Sequence, residues 1–299
     1  MKISKNISSI FIITAIFTII LALFALVFAA AERFFPSASM SLKNDLLFIG
    51  LEKELTPYTP SKSCTAYSLT ELIADKRTEC NNSLVIISQK NPIGDDLDFS
   101  SVTEYKNSGV LFDTCAHDGY QKLSSYIQER FGKKLYVMSA YRDEKEQSDL
   151  YAEQGSDTAQ RPGESEHQSG LALDVYVSGF AGASFLKTDV GKYVNSFCHQ
   201  YGFIIRYPDG AKDITGIDFE PWHIRYVGAP HADIISLNSI TLEEYTSSLS
   251  LSEYYSYGNY IICKVSPTDT VLAPESYESL VISPDNCGNY ILTFFLGNN

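Results

Sequence analysis

An uncharged, apolar run of 25 residues, Ile7 to Ala31, is the strongest constraint on how this chain can fold. Lys2 and Lys5 precede it, and a helix of that length can cross the ~30 Å hydrocarbon core of a bilayer. A cleaved signal peptide has an apolar core of only about 7–15 residues. We therefore favour an uncleaved transmembrane anchor in residues 1–33, with the lysines in the cytoplasm and the remainder outside the cell. A signal peptide is the alternative, because the letters VFAAAE offer small residues for cleavage.

The composition indicates a globular protein that does not bind nucleic acid. Hydrophobic residues make up 44% and charged residues 20% of the chain, which is enough to form a core. The net charge is −13, and no run of lysine or arginine provides the basic surface that a phosphate backbone requires.

Six cysteines without a CxxC pair exclude a zinc ribbon. An even number of cysteines outside the membrane permits disulfides, and the local pairs Cys64–Cys80 and Cys263–Cys287 are our first expectation. The alternative is that several of them are free, buried thiols.

Residues 84–232 predict one α+β domain. Its strands alternate polar and apolar residues and do not form solid apolar runs, which favours a small antiparallel sheet with helices packed on it. The predicted strands are 84–92, 134–141, 171–177, 203–207 and 222–228, and the predicted helices are 118–131, 142–155 and 189–202.

Two further segments flank this domain. Residues 34–83 contain Pro36, Pro57 and Pro60 and are interpreted as a stalk and N-terminal extension. Residues 233–299 are interpreted as a small β-rich appendage, with an acidic helix at 241–249 and strands at 260–265 and 290–296.

Histidines and carboxylates near two of the predicted strands suggest metal chemistry. Asp174 occupies a strand position where an apolar residue is expected, and His167 stands just ahead of that strand. Glu220 and His223 lie at another strand and need a turn at Pro221 to converge. Two imidazoles and a carboxylate suit Zn²⁺ and leave a fourth position for water.

These residues also form motifs. The letters SEHQSGLALD (165–174) followed by EPWH (220–223) resemble the SxHxxGxAxD and ExxH signature of the zinc D-Ala-D-Ala carboxypeptidases, a family that includes the VanY-type enzymes of glycopeptide resistance. The letters SAYRDEKEQ (139–147) resemble the SGYRSxxxQ element of that family, with Ala140 and Asp143 as departures. The resemblance covers residues 84–228.

The resemblance implies a role for each matching residue. His167, Asp174 and His223 would hold Zn²⁺, and Glu220 would be the general base and acid for a zinc-activated water that attacks the peptide carbonyl. Arg142 would stabilise the developing oxyanion or bind the terminal carboxylate of the substrate.

Other positions have weaker expectations. Ser165 and Gln147 are candidates for hydrogen bonds to substrate, although Gln147 could instead brace a loop. Gly170 would let the backbone pass close to the site, and Trp222 is expected to pack under His223. The remaining histidines, at positions 117, 199 and 231, match no motif and are expected to be structural or exposed.

The function that this resemblance implies is removal of the C-terminal D-alanine from peptidoglycan stem peptides or precursors by a membrane-anchored extracellular enzyme. A cell-wall endopeptidase shares the metal motif and is one alternative. A peptidoglycan-binding module without catalytic activity is another, which the intact Glu220 disfavours. A serine or cysteine hydrolase is weaker still, because no GxSxG elbow is present.

Overall fold

The computed structural model describes residues 2–51, 54–94, 97–155 and 159–298. It divides the chain into two compact units, Met1–Leu47 and Phe48–Asn299.

The first unit is helical. Helix α1 is Lys2–Phe34, and helix α2 begins at Pro36 and ends at Phe48. Proline suits the first position of α2 because its missing N–H has no partner there, and it disfavours helical geometry in the residue before it. The segment Ile13–Phe34 of α1 is apolar enough to cross a membrane, and all its large apolar side chains except Phe28 are exposed. The predicted apolar helix is confirmed, although a signal sequence has the same features.

The second unit contains seven helices and fourteen strands within the described residues. The helices are α3 (Leu69–Ile73), α4 (His117–Phe131), α5 (Glu144–Gln154), α6 (Asp189–Phe197), α7 (Lys212–Thr215), α8 (His231–Leu237) and α9 (Leu242–Ser248). The strands are β1 (Thr56–Pro57), β2 (Thr65–Ser68), β3 (Thr78–Cys80), β4 (Val102–Glu104), β5 (Leu111–Asp113), β6 (Tyr136–Ser139), β7 (Ala172–Tyr176), β8 (Phe203–Ile205), β9 (His223–Tyr226), β10 (Tyr254–Tyr257), β11 (Tyr260–Val265), β12 (Thr270–Ala273), β13 (Ser279–Pro284) and β14 (Tyr290–Phe295).

A four-stranded antiparallel sheet in the order β6-β7-β9-β8 is the centre of the motif-bearing region. Leu173 and Val175 of β7 enter the same apolar cluster as Leu123 of α4 and Val194 of α6. Because side chains alternate along a strand, Asp174 projects from the opposite face. The predicted α+β arrangement and its helices are confirmed, including the end of α4 at Gly132, which has a left-handed conformation.

The C-terminal strands form a second sheet, in the order β1-β10-β11-β14-β13-β3. Strand β1 pairs with β10, β3 runs parallel to β13, and β2 pairs with β12. The segment that we expected to be a stalk therefore contributes three strands to sheets with C-terminal residues. Its backbone groups find partners far along the chain, which local sequence patterns do not reveal. The division of the chain into four domains stays a prediction.

The predicted strand at 84–92 is wrong. Leu84, Val85 and Ile87 are buried, but in the part of the chain that the structure describes this segment pairs with no strand, and it turns back at Ser88–Asn91. Side chains take the place of a partner strand: Leu84 N–H donates to the Ser283 hydroxyl, and Ile86 exchanges two hydrogen bonds with the Asn286 amide.

The expected disulfides are also absent. All six cysteines lie in the described ranges and are free. Cys263 is in the middle of β11 and fully buried, whereas Cys287 lies in an exposed turn. Cys64 is partly exposed near the Tyr58 hydroxyl, and Cys80 belongs to β3. Cys198 and Cys263 fit the alternative expectation of buried thiols that act as small apolar side chains.

His231 joins α8, α9 and β14 in a buried polar contact. Its Nδ1 lies 2.6 Å from the Tyr245 hydroxyl and its Nε2 lies 2.9 Å from the Thr293 hydroxyl. A neutral ring provides one donor and one acceptor for these two hydroxyls. Burial lowers the pKa of His231 to about 3, because the charged ring would lose its hydration.

We expect His231 to make stability depend on pH. Its folded pKa lies below the unfolded value, so its contribution is complete above pH ~6.5 and decreases as the pH falls towards the folded pKa. Replacing His231 by Gln should cost about 1–3 kcal/mol at pH 7. At pH 5 this difference in the free energy of unfolding should be about 2 kcal/mol smaller, because only the wild type must keep a titrating imidazole neutral. Urea unfolding of both proteins at the two pH values measures this. An equal stability difference at both values would contradict it.

Candidate metal centre

Two neighbouring strands and one turn bring the metal-binding candidates together. In the pairing of β7 with β9, Asp174 lies directly opposite His223. His167 lies on the 3₁₀ turn Glu166–Ser169 that leads into β7. Gly170 ends this turn with φ 72°, and a Cβ there would lie 2.6 Å from the Val102 side chain. Glycine is therefore required here by close packing against Val102, and the expected approach of its backbone to the site stays a prediction.

The three side chains form a compact donor set. One ligand atom from each of His167, Asp174 and His223 lies within 4.8 Å of the other two. His167 Nε2 is 3.4 Å from Asp174 Oδ2, and His223 Nδ1 is 3.1 Å from Asp174 Oδ1. The carbonyl of Ala140 lies 2.8 Å from His167 Nδ1, so this nitrogen carries the proton and Nε2 has the free lone pair.

This donor set fits a metal ion such as Zn²⁺. Asp174 Oδ1 is buried without a hydrogen-bond partner among the described residues. Two imidazoles and one carboxylate are a usual ligand set of catalytic zinc, which keeps one further position for water. Burial lowers the pKa of His167, so this ring is neutral as a ligand must be.

Electrostatics around His223 also favour a cation. Burial alone would lower the pKa of His223, but the neighbouring carboxylates of Asp174, Glu166 and Glu220 raise it to about 9. Burial would raise the pKa of Asp174, yet the neighbouring rings of His167 and His223 hold it below its usual range. The cluster therefore attracts positive charge, which either a proton or a metal ion can supply.

Glu220 lies beside the donor set. A turn at Pro221 places Glu220 Oε2 3.5 Å from His223 Nδ1, and the backbone N–H of His223 donates to the Glu220 carbonyl. The predicted convergence of these two residues is therefore present. Burial raises the pKa of Glu220. A carboxylate with a raised pKa at the edge of such a site is better suited to accept and return a proton than an ordinary surface carboxylate.

Arg142 lies between β6 and α5, and its backbone N–H donates to the His167 carbonyl. Its side chain is partly buried, and its Nε is fully buried without a hydrogen-bond partner in the described residues. Burial lowers the pKa of Arg142, while the charges of Asp174 and Glu220 oppose this effect. An arginine with an unused donor beside the cluster is suited to bind a carboxylate or an oxyanion.

The other predicted positions have clear surroundings. Gln147 is buried, and its amide donates to the Gln160 carbonyl at 2.6 Å, which matches a loop-bracing role. Ser165 is buried and begins the turn that carries His167. Trp222 packs against the apolar core, and its expected position under His223 stays a prediction. The histidines without a motif bond elsewhere: His117 to the Phe112 carbonyl, His199 to Asp233 and His231 as described above.

Sequence reasoning missed three charged residues behind the site. Glu166 is fully buried and pairs with Arg206 and Arg225, which are buried as well. The available signal was an arginine inside each of the two apolar strands that read FIIRY and HIRYV. Buried arginines require a buried anion, and Glu166 supplies it.

Comparisons with known proteins agree with these observations. Residues 111–229 match a protein family, VanY, described as D-alanyl-D-alanine carboxypeptidase. A D-alanyl-D-alanine carboxypeptidase of Enterococcus faecium is 35% identical over 242 residues, which cover 72% of this chain and 76% of that protein. The bifunctional D-Ala-D-Ala dipeptidase and carboxypeptidase VanXYC of Enterococcus gallinarum is 38% identical over 131 residues, covering 40% of this chain and 69% of the relative.

A solved structure shows the same fold. The vancomycin resistance D,D-dipeptidase VanXYg, in complex with a D-Ala-D-Ala phosphinate analogue, superposes with a TM-score of 0.61 at 24% identity. The match covers 72% of this chain and 94% of that structure. With the extent and identity of the Enterococcus faecium match, the chain belongs to the VanY family of D-alanyl-D-alanine carboxypeptidases, which are zinc-dependent peptidases.

Proposed function

We propose that this protein is a membrane-anchored, extracellular zinc carboxypeptidase that removes the C-terminal D-alanine from peptidoglycan stem peptides or their precursors. The observation that carries the proposal is the convergence of His167, Asp174 and His223 within 4.8 Å, with Glu220 beside them. Family membership supports the D-Ala-D-Ala substrate.

His167, Asp174 and His223 would hold the zinc ion. When bound, zinc acts as a Lewis acid that acidifies water and polarises a carbonyl. Glu220 accepts a proton from the water as the water oxygen attacks the carbonyl carbon of the peptide bond. It then returns this proton to the nitrogen of the departing D-alanine as the C–N bond breaks. The raised pKa of Glu220 suits both halves of this transfer.

Arg142 stabilises negative charge in the substrate. Its guanidinium carries a permanent charge and an unused buried donor, and Asp174 and Glu220 are the acidic groups that act on it across the site. It can pair with the carbonyl oxygen as that oxygen becomes anionic, or with the terminal carboxylate. Ser165 is a further candidate for a hydrogen bond to substrate, and Gln147 holds the loop at Gln160.

Helix α1 supports the proposed placement of the enzyme at the membrane. Its apolar segment, Ile13–Phe34, follows Lys2 and Lys5, which favours the lysines on the cytoplasmic side. Stem peptides and lipid-linked precursors lie at the outer face of the membrane, so an anchored catalytic unit stays near its substrate.

Replacing Glu220 by Gln should lower D-alanine release from a pentapeptide ending in D-Ala-D-Ala by about 10²–10⁴-fold. Bound zinc should remain, because the amide removes the proton acceptor and leaves all three proposed ligands. Release is measured with a D-amino-acid assay and zinc by elemental analysis. Glu153→Gln, an exposed change on α5, is the matched control. Full activity in the Glu220 variant would refute the proposed base, and mass spectra showing cleavage at an internal bond would identify an endopeptidase.

Replacing Arg142 by Ala should lower kcat/KM by about 100-fold or more, because a charged donor to the reacting substrate is lost. A fall in kcat assigns the guanidinium to the developing oxyanion, whereas a rise in KM alone assigns it to the terminal carboxylate. Steady-state kinetics at saturating zinc measure the two constants. Unchanged kcat and KM would exclude contact with substrate.

The anchor predicts that the full chain fractionates with membranes and is released only by detergent. Mass spectrometry of the recovered protein should detect peptides from the segment before Glu32. Externally added protease should digest the second unit in spheroplasts. A recovered chain that begins after Ala31 would show that the helix is a cleaved signal sequence.

A further inference from the structure

Glu166 occupies a variable position of the SxHxxGxAxD motif, between Ser165 and His167, and the proposed reaction gives it no role. Its side chain is completely buried. Burying an ionised carboxylate costs several kcal/mol unless it is paired and hydrogen-bonded. The pairing of this carboxylate is therefore informative.

Two buried arginines bind the same oxygen of Glu166. Arg206 Nε donates to Oε1 at 2.6 Å, and Arg225 Nη1 donates to Oε1 at 2.8 Å. Both guanidinium groups are fully buried. This arrangement keeps the carboxylate ionised and leaves its second oxygen, Oε2, without a hydrogen-bond partner in the described residues.

The unpaired oxygen faces a metal-ligand candidate. Glu166 Oε2 lies 3.7 Å from Nε2 of His223, and this nitrogen is also buried without a partner among the described residues. The other ring nitrogen, Nδ1, faces Asp174 and Glu220. The two ring nitrogens of His223 thus have different neighbours: Nδ1 lies next to the donor set, and Nε2 lies next to Glu166.

We propose that Glu166 is a positioning residue that accepts a hydrogen bond from His223 Nε2–H and so directs Nδ1 of that ring at the zinc ion. This inference rests on the proposed ligand set. A carboxylate behind a metal-bound imidazole selects its tautomer, orients the ring and makes the ligating nitrogen more basic. A movement of about 0.8 Å brings the two atoms to hydrogen-bond distance.

Residues outside the motifs hold the two arginines. Arg206 makes a bidentate pair with Glu243 of α9. Arg225 Nη2 donates to the backbone carbonyls of Ser83 and Val85. Residues before the first motif (139–147) and after the last motif (220–223) therefore support the orientation of His223. A fragment without these residues should bind zinc more weakly.

The wild-type full chain, zinc-loaded in detergent, allows a direct test without substitution. ¹⁵N NMR of histidine-labelled protein distinguishes a metal-bound ring nitrogen from a protonated one. We expect His223 to carry zinc on Nδ1 and a proton on Nε2. The signals of His223 are identified as those that are missing from the spectrum of the His223→Ala variant. Zinc on Nε2 would overturn the proposal, whether or not any variant folds.

Zinc affinity provides the second test. Glu166→Gln should weaken zinc binding about 10–100-fold, measured by competition with a chromophoric chelator on folded protein. Glu243→Gln should weaken it in the same direction and by less, because Glu166 remains. Glu153→Gln removes an exposed carboxylate and should leave the affinity unchanged. A purely structural role would lower the thermal midpoint and leave zinc affinity unchanged.

The outcomes separate this inference from the proposed function. Equal affinity in wild type and Glu166→Gln, with zinc on Nδ1 of His223, would overturn the inference and leave the ligand set standing. Equal affinity in wild type and His223→Ala would overturn the ligand set itself.

Discussion

The antiparallel pairing of β7 with β9 is the constraint on which the metal centre depends. Its register sets Asp174 against His223, while Leu173 and Ile224 enter the core on the other face. A slip of one residue in either strand would move its carboxylate or imidazole into that core and turn its apolar side chains outwards. Packing of the core therefore specifies the geometry of the site. The turn that ends at Gly170 then delivers the third donor to the same place.

The buried charges next to the metal centre need an explanation other than stability. Replacing a buried ion pair with well-packed apolar residues is often neutral or stabilising, so stability alone does not account for Glu166, Arg206 and Arg225. Their arrangement is asymmetric: both cations share one oxygen, and the other oxygen faces His223. Orientation of a metal ligand accounts for this asymmetry, whereas a simple charge balance does not.

The C-terminal sheet is built together with residues that come before the motifs. Strands β1 and β3 pair with β10 and β13, and Asn286 satisfies the backbone of Ile86 across 200 positions of sequence. His231 joins α8 to α9 and to β14. The segments on either side of the motif region are thus structural parts of the unit that carries the site.

Sequence alone determined the features whose causes are local. The apolar run predicted α1, and glycine and alternating patterns predicted α4 and β7. The resemblance of the motifs to those of the zinc carboxypeptidases implied that His167, Asp174 and His223 are partners. The resemblance also implied the role of Glu220, and the turn at Pro221 that brings it beside His223 lies within four residues of sequence. The helices, the strand and the turn depend on helical and strand periodicity and on short turn sequences, and each of these lies within one short segment of the chain.

Only the tertiary structure decided what depends on distant partners. The segment 84–92 has strand-like residues, yet its hydrogen bonds go to side chains about 200 positions away, so it forms no strand. The cysteines have an even count, yet Cys263 is in the core and Cys287 at the surface. Glu166 occupies a position that the motif leaves open, and its partners come from β9 and from Arg206 just after β8. Burial and pairing across the fold determine these features, and local sequence patterns predict neither of them.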